Sequence, residues 1–214
     1  MIKRFLIVLA GLFAAASVSA QEVAKTEWKE GQHYFVIDPP VATSTPGKVE
    51  VLEAFSYACP HCAHFQPYAD QIKAKLPKQA AFVYLPVVFN PSWEPFARAF
   101  YASQSMGALD KTHQALFDAL HRDHKPMRTI EEIGTFFATL GIDEKNFLST
   151  SKSFVVEGNL ANGQKNLGAY GIDSTPTVIV NGKYRLNAGT AGGFPQTVEL
   201  TNWLVAKEIA AAKK

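Results

Sequence analysis

The stretch Val49 to Pro67, VEVLEAFSYACPHCAHFQP, decides how the chain is read. Val49, Val51, Leu52, Ala54 and Phe55 form a nearly continuous apolar run, the pattern of a strand buried on both faces of a helix-covered sheet. Pro60 then suits the first position of a helix, where its missing N–H needs no partner. That places Cys59 at the N-cap and Cys62 one turn in, on the same face. An N-cap side chain meets the free amides of the first turn and the positive end of the helix dipole, so the Cys59 sulfur is the one favoured as a thiolate. These are the only two cysteines. So spaced, they can close a disulfide or open to a thiolate and a shielded thiol.

Other uses of the pair fit less well. A purely structural disulfide closing so small a ring stabilises a fold by only about 2 kcal/mol on the loop-entropy model. A chain of 214 residues can bury a core without it. Zinc could use Cys59 and Cys62 with His61 or His64, but structural zinc usually draws on two separate pairs, and no second cysteine pair exists. Covalent haem needs His directly after the second cysteine, where Ala63 stands.

The block LEAFSYACPHCAHF (Leu52 to Phe65) and, much later, GIDSTPTVIVNGKYRLN (Gly171 to Asn187) resemble the DsbA family of thiol:disulfide oxidoreductases, within the thioredoxin superfamily. The CPHC sequence, the Thr-Pro and the NGKY hairpin come in that family's order and spacing. The resemblance implies an α/β, thioredoxin-like fold with a helical domain inserted between a βαβ unit and a C-terminal β-hairpin. It implies a dithiol oxidase that donates the Cys59–Cys62 disulfide, without a further cofactor or metal, to unfolded or partly folded exported proteins with free cysteines. A membrane DsbB-like protein would reoxidise it in the periplasm, and the chain would be a monomer. Pro176 becomes a cis proline facing the cysteines, with Thr175 before it offering backbone groups to an extended substrate segment. His61, at the second helical position, becomes a donor to the Cys59 thiolate.

Three positions depart from the family pattern. Gln66 stands where an acid is frequent, Val83 lies near the place of a strand lysine, and Thr175 replaces the Val of some members and occurs also in isomerases. Glu53 alone remains of the usual charged cluster. A carboxyl buried beneath the disulfide would have a raised pKa and is a candidate proton relay to Cys62. Two other functions share these residues: a disulfide isomerase or reductase kept reduced, and a redox-inactive chaperone or metal-binding module using the surface around Pro176.

The first residues read as a targeting segment. Met1 to Arg4 is basic, Phe5 to Ala16 is apolar, and Val18-Ser19-Ala20 has the small residues of a cleavage site, so 1–20 is expected to be a removed signal peptide. Twelve apolar residues fall short of the roughly 20 that span a bilayer as a helix. Removal takes away Lys3 and Arg4, lowering the basic residues from 21 to 19 against 19 acids. A formally neutral mature chain without a basic run argues against nucleic acid as a partner. Export to an oxidising compartment makes a lone CxxC more a redox pair than a metal site.

The remainder divides into a thioredoxin-like part at 21–89, a helical block at 90–168 and a second thioredoxin-like part at 169–214. An edge strand is expected at His33 to Ile37, and another strand at Ala80 to Phe89 completes a right-handed βαβ unit. Helical stripes follow at Ser92 to Met106 and Leu109 to Leu120. Thr129 to Glu132 has the form of a capping box, and further helices begin at Asp143 and about Ser153. His113, His121 and His124 read as solvated surface residues. Thr177 to Val180 and Lys183 to Leu186 flank Asn181-Gly182 as a type I′ hairpin, and an amphipathic helix at Gly192 to Lys207 ends the chain.

Overall fold

The computed structural model describes residues 27–212, so the leader read in 1–20 lies outside the described residues. Strand β2 (Val49–Phe55) is buried along its whole length. Even Glu50 and Glu53 are carried inside with its apolar neighbours. It passes through Ser56 to Cys59 into α1 (Pro60–Lys75), with Cys59 as the N-cap and proline at the helix start. Strand β3 (Ala80–Pro86) returns parallel to β2, Val49 beside Ala80 and Phe55 beside Pro86. Proline has no N–H for a ladder, and β3 stops there.

Five helices precede the return to the sheet: α2 (Glu94–Ser105), α3 (Leu109–Phe117), α4 (Ile130–Ala138), α5 (Glu144–Ser151) and α6 (Phe154–Tyr170). The expected capping box opens α4, Thr129 accepting the Glu132 N–H while the Glu132 carboxylate accepts the Thr129 N–H. Thr129→Ala should cost about 1 kcal/mol, read as a lower urea midpoint; an unchanged midpoint would mean that packing alone fixes this helix start. Helix α6 runs through Gly158 and Gly163 despite the poor helix propensity of glycine. A Cβ at Gly163 would come within 2.9 Å of the Tyr101 hydroxyl, so close packing against α2 uses the glycine and outweighs its helix cost. The helix closes on Gly171 in the left-handed conformation.

Strand β4 (Thr177–Val180) then lies antiparallel beside β2, and Asn181-Gly182, with φ of 53° and 65°, turns it into β5 (Tyr184–Leu186). Both residues take the positive φ that a I′ turn requires. Strand β1 (Phe35–Val36) pairs with β5 at the edge, giving the order β1-β5-β4-β2-β3. It is shorter than the five residues expected from 33–37 and is followed by a cis Asp38–Pro39 bond. A short α7 (Ala188–Ala191) intervenes before the terminal helix α8 (Phe194–Ala211).

Three apolar clusters hold this together. Phe65 and Ile72 of α1 and Leu200 and Leu204 of α8 cover one sheet face at Val51 and Val180. Leu52 and Ile179 meet Leu167 and Tyr170 on the other. The third joins Phe55, Tyr57, Cys59 and Cys62 to Phe100 and Phe117 of the helical block. The cysteines therefore sit where sheet and helices meet. Among the described residues, no helix is long and apolar enough to cross a membrane.

Candidate active site

Cys59 and Cys62 are free thiols, 6% and 0% exposed. Their proton affinities are driven apart. Cys59 is lowered to about 5, chiefly by the Cys62 thiol bonded to its sulfur. Burial opposes this, while the Thr175 side chain and the amides of Cys62 and His61 assist. Cys62 is pushed far up, by burial first, then by its bond to Cys59 and the negative charges of Cys59 and Glu53. The helix-end amides expected to stabilise the Cys59 thiolate do contribute, but they rank behind the Cys62 thiol. Cys59 is the N-cap, yet its side chain closes no capping hydrogen bond, and the neighbouring thiol contributes more.

Beside the sulfurs the Thr175–Pro176 peptide is cis, and the Cys59 thiol donates to the Thr175 carbonyl at 3.6 Å. A carbonyl accepts only from the protonated sulfur and so opposes ionisation, whereas the Thr175 side chain favours it. His61 is exposed, and its contribution to Cys59 comes through its backbone amide. An imidazole at this position points to solvent, which corrects the expectation of a ring donor.

Glu53 lies beneath the pair, 0% exposed, with Oε2 lacking any hydrogen-bond partner. Burial pushes its carboxyl up to about 8; Lys73 pulls it down, and Asp70 and Cys59 raise it again. Lys73 belongs to α1, pairs with Asp70 at 3.0 Å and rests 4.8 Å above the Tyr84 ring. It brings a cation to the region where the strand offers only Val83.

A match to the DSBA-like thioredoxin domain covers residues 50–195. The thiol:disulfide interchange protein DsbA of Pseudomonas aeruginosa PAO1 is 39% identical over 208 residues, spanning 97% of this chain and 99% of that one. The chain belongs to the DsbA family. The DsbA of Azotobacter vinelandii is 37% identical over 95% of this chain and 96% of its own. Among solved structures, Pseudomonas aeruginosa DsbA superposes with a TM-score of 0.83 at 42% identity, covering 87% of this chain and 97% of that one. Xylella fastidiosa DsbA gives 0.79 at 32%, covering 84% and 97%. This DsbA-family chain is thus a protein thiol:disulfide oxidoreductase with a thioredoxin-like fold, acting on proteins with cysteines.

Two histidines read as solvated belong instead to the joint behind the site. His113 of α3 bonds the Tyr57 hydroxyl at 2.8 Å and Gln66 Oε1 at 3.2 Å, and its ring lies 4.3 Å from that of Tyr84. His121 Nε2 donates to the Tyr57 carbonyl at 2.7 Å. His124 is exposed, as expected. The spacing held a signal: His113 falls on the same stripe as Leu109, Leu116 and Phe117. Among the described residues, no three His, Cys, Asp or Glu side chains converge to hold a metal ion.

Proposed function

We propose that Cys59–Cys62 is the disulfide this oxidase donates, and the observation that carries the assignment is the opposed displacement of the two sulfurs. A substrate thiolate attacks Cys59 Sγ, the Cys59–Cys62 bond breaks, and Cys62 leaves and takes up a proton. A second substrate thiolate attacks the substrate sulfur of the mixed disulfide and expels Cys59 as thiolate. The substrate is oxidised by two electrons and the protein reduced by two. Cys59 is the better final leaving group because its anion is stabilised. Cys62, unstable as an anion, calls for a nearby acid, and Glu53 is the group we assign to that proton.

Thr175 and Pro176 line the approach to Cys59, and an extended client segment would pair there with Thr175 backbone groups. Pro60 starts the helix that holds both sulfurs, and His61 contributes its amide. We assign 21–89 and 169–214 to the thioredoxin-like body and 90–168 to an inserted helical domain. Residues 1–20, read as a signal peptide, support a periplasmic location. Exported proteins with free cysteines would then be the clients, and a membrane DsbB-like protein the reoxidant.

The sulfur assignment is tested by trapping. Mixed with a peptide disulfide, Cys62→Ser protein should accumulate a mixed disulfide at Cys59, seen by mass spectrometry, while Cys59→Ser protein should accumulate almost none. The reverse pattern would overturn it.

A further inference from the structure

Behind the cysteines, side chains from β2, α1, β3 and α3, with Tyr57 from the segment between β2 and α1, form one run of hydrogen bonds whose directions can be assigned. The Cys62 carbonyl only accepts, and it lies 3.4 Å from Gln66 Nε2, which fixes the orientation of that amide. Gln66 Oε1 therefore faces His113 Nε2 at 3.2 Å and the Tyr84 hydroxyl at 3.5 Å, and both must donate to it. With the His113 proton on Nε2, bare Nδ1 accepts from the Tyr57 hydroxyl at 2.8 Å. The run ends with Gln66 Nε2–H directed at Glu53 Oε1, 3.5 Å away. Burial, with Lys73 assisting, lowers His113 to about 3, so the ring stays neutral and its partners select this tautomer. A cavity of about 360 Å³ lined by Gln66, Asp70, Lys73, Tyr84, Asp110 and His113 reaches the Gln66, Tyr84 and His113 members of this run.

We propose that His113, supplied by the helical block, is a positioning residue for disulfide exchange: it locks the Gln66 amide so that an N–H meets Glu53, and thereby sets how readily Glu53 gives its proton to Cys62. The inference rests on the proton role proposed for Glu53. In that step the Glu53 carboxyl protonates the departing Cys62 thiolate, leaving a carboxylate and a thiol. Solvent reaching the cavity returns one proton to Glu53. The groups facing Glu53 are Cys59 at the N-cap, Cys62, Asp70 and Lys73 from α1, Tyr84 from β3 and, through Gln66, His113 from α3. His113 acts through the amide and not through a charge of its own. An N–H donor favours the carboxylate, so freeing the amide makes Glu53 hold its proton more tightly.

The test follows the Glu53 carboxyl carbon by NMR against pH in the reduced protein, beside the pH profile for oxidation of a dithiol peptide. The wild-type midpoint is expected near 8. His113→Phe keeps an aromatic ring and removes both bonds; the Glu53 midpoint should rise by about half to one unit, the equivalent of one neutral hydrogen bond, and the rate profile should move with it. His113→Gln, whose amide can still donate to Gln66 Oε1, should restore both. Gln66→Leu should reproduce the shift, and adding His113→Phe should increase it no further. If His113→Phe fails to fold, His113→Leu takes its place, and an unshifted midpoint in Gln66→Leu still overturns the inference. Unshifted midpoints in these variants would overturn the inference while leaving Glu53 its role. A profile unchanged in Glu53→Gln would instead remove that role.

Discussion

Glu53→Gln should stabilise the reduced protein at pH 7 by about 2 to 3 kcal/mol. The carboxyl is wholly buried, one oxygen has no partner, and burial raises it from 4.5 to about 8. A raised carboxyl pKa means that the folded state holds a proton the unfolded chain releases. The cost is absent below the unfolded value, grows as pH rises from 4.5, and is complete above about 8. At pH 7 it comes to roughly 3 kcal/mol at 1.36 kcal/mol per unit, less what the new amide loses on burial. Urea unfolding at pH 4 and pH 7 reads it directly: near-equal stabilities at pH 4 and a gain for the variant at pH 7. No gain at pH 7 would mean that Glu53 is not held protonated. The same variant should oxidise a dithiol peptide more slowly, since Cys62 loses its proton donor.

The second large effect concerns the oxidation state. With Cys59 lowered from an ordinary 9.0 to about 5, its anion stabilises the reduced fold fully above pH 9, less as pH falls, and not at all below 5. At pH 7 the contribution is about 3 kcal/mol, because two pH units separate it from the folded midpoint. The disulfide removes this term and returns about 2 kcal/mol by constraining a very small ring in the unfolded chain. Reduced protein should therefore melt higher by roughly 2 to 4 °C at pH 7, with the gap wider at pH 8.5 and reversed near pH 6. Paired melts at the three values check both sign and trend. An oxidised form that is more stable throughout would contradict a stabilised thiolate.

The sequence was legible wherever local chemistry decides the outcome. An uninterrupted apolar run became the buried β2, Pro60 placed Cys59 at the N-cap, Thr129 and Glu132 closed a capping box, and Asn181-Gly182 made the hairpin turn. Each depends on residues within a few positions of one another. Less was legible where partners come from distant segments. Helical spacing put His113 on an apolar stripe, but only the packing of α3 against α1 and β3 gives it Tyr57, Gln66 and Tyr84 as neighbours. Nothing local to α1 marks Lys73 as lying over Tyr84 and acting on Glu53, since both partners come from strands. The one-turn α7 carries too little pattern to stand out from loops, and the edge strand expected over 33–37 keeps only Phe35–Val36.

The causes acting on Cys59 show the same division. Helix-end amides could be inferred from Pro60 alone, yet the largest contribution comes from Cys62, whose thiol is held beside the anion by a fully buried environment. Desolvation dominates at Cys62, the more deeply buried sulfur, whereas at Cys59 hydrogen-bond donors outweigh it. The pair is thereby split into a leaving group and a protonated partner before any substrate arrives.

The most direct test of that split is the ultraviolet absorbance of thiolate followed against pH in the reduced protein, with Cys62→Ser and Cys59→Ser proteins to assign the transitions. One thiolate titrating with a midpoint near 5, retained in some measure by Cys62→Ser and absent from Cys59→Ser, is the expected result. A Cys59 midpoint at or above the ordinary thiol value of about 8.5 would contradict it.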